Sequence, residues 1–149
     1  MGIVRDILTQ LQSGQLLMVN SRKRNGLILY KPFHAEFAGP GAAIGGGFDR
    51  NCERVVCVGE LSVLEPASSD DRQKAYLIRR QWIRLIQQIT DTPDAQQRVR
   101  MLLQQFENYF SAETVKQVPD EAFAQLVGVL PYTVYRVRHS FPSPRSEIG

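Results

Sequence analysis

The chain has 149 residues, 43% of them hydrophobic and 22% charged. That is enough apolar material for a core at an ordinary charge content, which excludes a disordered polymer. A net charge of +3 permits an anionic partner without demanding one, and with no run of about 18 apolar residues a membrane-spanning helix is not expected.

In chain order, Ile3, Val4, Ile7, Leu8 and Leu11 recur at helical period, and Ser13-Gly14 ends the segment. Two apolar runs follow, Leu16–Val19 and Leu27–Tyr30. The Asn25-Gly26 step between them predicts a β-hairpin, with the basic cluster Arg22, Lys23 and Arg24 at its tip. Residues 37–50 hold five glycines and a proline, which predicts an irregular, flexible loop across 39–47. A strand-like run then continues to Pro66.

The composition changes after Pro66. Ser and Asp residues open a helical pattern carried by Ala75, Ile78, Trp82, Leu85, Ile86 and Ile89. Thr92-Pro93-Asp94 starts a second helix, whose apolar face is Ala95, Val99, Leu102, Leu103, Phe106 and Phe110. A short helix is expected at 111–117, and Pro119 permits another start. The Ser/Pro-rich end, 141–149, reads as a mobile tail.

Few constellations carry chemistry. The glycine-rich stretch lacks the GK[ST] ending of a phosphate loop and misses the dinucleotide fingerprint by one position. Cys52 and Cys57 have no third or fourth metal ligand nearby. His34 and His139 lack partners at ligand spacing, and no nucleophile motif is present. We therefore expect no catalytic residue, metal or cofactor. The basic residues are 14 Arg against 4 Lys, and Arg suits phosphate and guanine edges. The net charge is +1 over residues 1–66 (7 minus 6) and +2 over 67–149 (11 minus 9). A nucleic-acid face must therefore come from local placement rather than bulk charge.

Asp120 to His139 is the stretch that offers such a face. Its composition, rich in Val, Tyr and Thr from Leu126 onward, suits a strand. Its spacing suits two helices crossing over a tight turn. Ala124 is small at the crossing, and Gly128 tolerates a left-handed turn. Phe123, Val127, Val129, Val134 and Val137 supply a shared apolar face, and Pro131 stands where the second helix begins. These residues resemble the helix-turn-helix of LacI and lambda-repressor-type bacterial regulators. The likeness covers residues 120–139 alone, and Leu130 departs from it, since the turn usually carries a small polar residue there. The resemblance implies that the second helix enters the major groove of duplex DNA. Its outward side chains would be Pro131, Tyr132, Tyr135, Arg136 and His139, with Arg136 toward a base edge and Thr133 and Arg138 on phosphates. Arg80 and Arg84, one helical turn apart, and Arg22, Lys23 and Arg24 would add phosphate contacts.

The strand alternative stays open on these residues. Tyr132, Val134, Arg136 and Arg138 alternate with Thr133, Tyr135, Val137 and His139, as in an edge strand that would join the N-terminal sheet. In that case the chain would be a non-enzymatic interaction or assembly module. The expected class is α+β: a small helix-plus-sheet unit (1–66) followed by a mainly helical part (67–140) ending in a helix-turn-helix. The expected function is a cytoplasmic, homodimeric, sequence-specific DNA-binding regulator.

Overall fold

A computed structural model describes residues 2–140; the segment 141–149, read above as a mobile tail, lies outside the described residues. The class is α+β, with two three-stranded antiparallel sheets in the N-terminal half. Helix α1 (Gly2–Gln12) is followed by β1 (Leu16–Val19), β2 (Gly26–Tyr30), β3 (Ala35–Ala38) and β4 (Ala43–Gly45). A 3-10 turn at Gly47–Asp49 leads to β5 (Arg54–Val58) and β6 (Val63–Leu64). The helices α2 (Ser69–Thr90), α3 (Ala95–Tyr109), α4 (Ala112–Gln117), α5 (Asp120–Val127) and α6 (Pro131–His139) complete the described chain.

The expected hairpin between β1 and β2 does not form. Strand β1 lies between β4 and β6, with Leu17 opposite Ile44 and Val19 opposite Val63. Strand β2 lies between β3 and β5 in the other sheet, with Ile28 opposite both Phe37 and Val56. The Asn25-Gly26 step is not a type I′ turn, since Gly26 has no positive φ and opens β2. Instead the buried Asn25 amide donates to the Asn20 and Lys23 carbonyls, and its oxygen accepts from the Ser62 N–H. This side chain carries the chain from one sheet to the other.

The glycine-rich stretch also departs from expectation. Ala43–Gly45 is a buried strand rather than an irregular loop. Gly45 has φ 87°, and a Cβ there would lie 1.9 Å from the Gln15 carbonyl oxygen, so only glycine fits. The run that ends at Pro66 is likewise two strands, β5 and β6, in different sheets.

Strand β2 is buried along its whole length, which accounts for its unbroken apolar reading. Leu27 and Leu29 face a cluster with Ile7 and Leu11 of α1, Leu17, Val19 and Ile44. Ile28 and Tyr30 face the helical layer, where Phe37 packs edge-on to Trp82, 5.0 Å between centroids, and 4.7 Å from Phe106. One apolar cluster thus runs from β2, β3 and β5 through α2 to α6, across the composition change at Pro66.

Residues 131–139 are helical, so the edge-strand alternative for 132–139 is overturned. Pro131 occupies the first turn, where its missing N–H costs no helical hydrogen bond. Val134 and Val137, three apart, are buried together. Burial of that stripe outweighs the strand preference of the valines and tyrosines.

Candidate nucleic-acid interface

Helix α5 ends at Gly128, whose backbone is left-handed (φ 68°, ψ 44°). The N–H groups of Gly128 and Val129 both donate to the Ala124 carbonyl, closing the helix end. Leu130 is extended, and α6 begins at the next residue. Arg98 holds this turn from α3: its guanidinium donates to the Gly128 and Thr92 carbonyls at 3.2 and 2.6 Å. Helix α6 packs on α3 and α5.

The outward face of α6 carries Tyr132, Tyr135, Arg136 and His139, all exposed. The two tyrosine rings are nearly parallel at 17° with centroids 6.2 Å apart. His139 lies 4.3 Å from the Tyr135 ring, and its Nδ1 donates to the Tyr135 carbonyl at 2.9 Å. The Arg136 guanidinium stands 5.9 Å from the Tyr132 ring and makes no hydrogen bond or ion pair within the described residues. No acidic residue lies between 131 and 140. The face is an aromatic ladder with an uncommitted cation. That combination suits a polyanion whose grooves expose acceptors and flat surfaces.

The remaining predicted contacts are placed differently. Thr133 sits at the edge of the face, half-buried. Pro131 is exposed at the helix start. Arg138 turns inward: it donates to the Val118 and Val115 carbonyls at 2.8 and 2.7 Å and pairs with Asp120 at 2.8 Å. Its guanidinium also covers the Phe123 ring at 5.0 Å. Arg138 therefore caps the end of α4 and ties it to α5 and α6. The sequence carried a signal for this, since Arg138 lies four residues after Val134 and one after Val137, on the buried side of the helix.

Arg80 and Arg84 project from the solvent face of α2 without partners among the described residues. Helix α2 packs on β3, β4, α3 and α5. Arg22, Lys23 and Arg24 are exposed in the connection between the sheets, where Lys23 and Arg24 share a shallow cleft with Glu60. The structure gathers four of the six predicted DNA-reading side chains on one face. The phosphate candidates stand on two separate elements.

A buried ionic cluster was not foreseen. Arg79 lies on the core side of α2 and is 2% exposed. It pairs with both oxygens of the fully buried Asp49, at 2.8 and 3.0 Å, and with Glu36 at 2.7 Å. Lys31 approaches Asp49 at 3.0 Å, and the Gly45 N–H donates to the same carboxylate. The ring of Phe48 lies 4.8 Å from the Arg79 guanidinium. Burial alone would raise the Asp49 carboxyl, but the Arg79 hydrogen bonds and charge, the Gly45 N–H and Lys31 outweigh it and hold the group below the usual range. Glu36 behaves alike: burial pushes it up, and His34 and Arg79 pull it further down. Tyr30 is raised above its ordinary value by burial and by its hydrogen bond to Glu121. Burial likewise raises the thiols of Cys52 and Cys57. The cluster closes the glycine-rich segment onto α2 and is structural in geometry. The sequence hinted at it, since Arg79 falls at helical spacing between Ala75 and Ile86.

Among the described residues, no group of three or more His, Cys, Asp and Glu side chains is placed to hold a metal, and no helix is long and apolar enough to cross a membrane. Comparison with known protein families, with curated proteins and with solved structures returns no match.

Proposed function

We propose that the protein is a small sequence-specific DNA-binding regulator that reads duplex DNA through α6. One observation carries the reading: the outward face of α6 presents Tyr132, Tyr135, Arg136 and His139 with no acidic side chain, on a helix anchored by Val134 and Val137. The tight α5–α6 turn at Gly128 is in keeping with the bacterial-regulator likeness of residues 120–139. On this reading Arg136 donates to a guanine edge, since its donors are unspent. Tyr132 and Tyr135 lie on sugars or base edges, and the Thr133 hydroxyl meets a phosphate. Arg138 positions α6 rather than touching DNA. Arg22, Lys23, Arg24, Arg80 and Arg84 remain candidate phosphate contacts.

A single short helix reads few bases, so the working form is a homodimer on a two-fold site. The reading assigns the protein to the cytoplasm and gives it no catalytic role. Selection from a random duplex library with the full chain tests it. The expected result is enrichment of an inverted repeat; recovery of unenriched duplex after several rounds would count against a sequence reader.

A further inference from the structure

A cleft of about 430 Å³ opens between β3, α2, α5 and the turn that precedes α6. That volume lies within the range of roughly 300–1,000 Å³ that small-molecule sites occupy. The apolar part of the wall is presented by the half-buried Ile83 and by Val129 from the turn, with Ile86 and Leu126 just reaching the surface and Phe37 buried behind them. Phe33 stands at the rim as a residue 95% exposed, beside an apolar surface it does not cover. Its exposure leaves it able to close over a bound ring.

The polar groups narrow the chemistry. Glu36 borders the cleft, but its two oxygens already accept from Arg79 at 2.7 Å and meet His34 at 2.8 Å. Glu36 and Asp49 together are balanced by Arg79 and Lys31, and the ring of His34, which also borders the cleft, is engaged by Glu36. A charged ligand would be desolvated against walls that offer it no uncompensated opposite charge. The carboxamides of Gln87 and Gln125 also line the cleft, and neither makes a hydrogen bond within the described residues. Each offers donors and an acceptor together, which matches another amide edge.

We propose that this cleft binds a small uncharged aromatic molecule bearing a carboxamide-like group, its ring against the apolar walls and its polar edge on Gln87 and Gln125. The site does not depend on the DNA-reading proposal, and either stands if the other falls. Because Gly128 and Val129 form part of the wall, an occupant touches the segment that leads into α6.

The test is ligand-observed saturation-transfer NMR on the full chain with benzamide, benzoate and benzylamine, which share a ring and differ in charge. Benzamide should bind saturably, with both charged probes weaker by about tenfold, the effect of one lost hydrogen bond at the strong end of the usual range. Phe33→Ala and the double variant Gln87→Ala, Gln125→Ala should each weaken benzamide several-fold. Their melting should stay that of the parent, because these side chains are exposed. Three results would each overturn the proposal: no saturable benzamide signal, equal binding of the three probes, or benzamide binding untouched by both variants.

Discussion

Asp49 and Arg79 are both withdrawn from water, and their pairing offsets a desolvation cost of several kcal/mol per ion. Removing one partner leaves the other charge buried. Asp49→Ala should therefore lower the unfolding free energy by about 3–5 kcal/mol in urea titrations. The acid limb of stability follows from the same cluster. Asp49 and Glu36 are both held below their ordinary values, so the folded chain binds fewer protons than the unfolded one. Their contribution is present in full above about pH 5, clear of the values of free carboxylates. It is lost as pH falls through the lower folded values. Glu36→Gln should flatten that decline in melting temperature between about pH 4 and pH 2. A second contrast lies between two neighbouring arginines. Arg138→Ala should cost about 1.5–3 kcal/mol of stability, because a charged donor to the Val115 carbonyl of α4 and to the Val118 carbonyl just beyond it is lost. Arg136→Ala should leave thermal melting unchanged, since among the described residues its guanidinium meets only the Tyr132 ring. Residue type alone does not separate these roles; the helical register around Val134 does.

At the scale of elements, the α5–α6 turn rests on one backbone conformation. A Cβ on Gly128 would meet nothing within 4 Å, so any penalty there comes from the left-handed φ and not from crowding. Gly128→Ala should cost about 1–2 kcal/mol in thermal or chemical unfolding, and Gly128→Asn less, because Asn tolerates this region. If alanine stabilised the protein, the turn would have to be different. Local signals made this element legible: Pro131 at a helix start, Gly128 at a helix end, and a buried stripe three residues apart. The sheets were less legible. The partners of β1 lie in β4 and β6, at least 25 residues further along the chain, and nothing in Leu16–Val19 names them. Asn25-Gly26 carries the composition of a hairpin turn, yet the Asn25 side chain is spent on a link to Ser62. Strand β4 is three residues long, too short for alternation to show, and it is held from outside by Asp49 and Arg79.

For the whole molecule, the two halves recognised from composition share one apolar cluster, with Phe37 of β3 packed against Trp82 and Phe106. Helix α6 is therefore mounted on this shared cluster through Val134 and Val137, as the proposed role in reading DNA would need. The α+β class followed from periodicity and from the change after Pro66. The face of α6 was legible because four outward residues recur at helical spacing. The cleft beside Phe33 was not, since it is assembled from three distant segments. The most direct measurement is fluorescence anisotropy of the full chain on a selected duplex across a salt series. Affinity should fall linearly in log–log form as salt rises, by about 0.9 per phosphate neutralised. Arg136→Ala should lose about 1–3 kcal/mol on that duplex and discriminate less at one base position. Salt-independent binding, or an Arg136→Ala variant that binds the selected duplex as the parent does, would contradict the account.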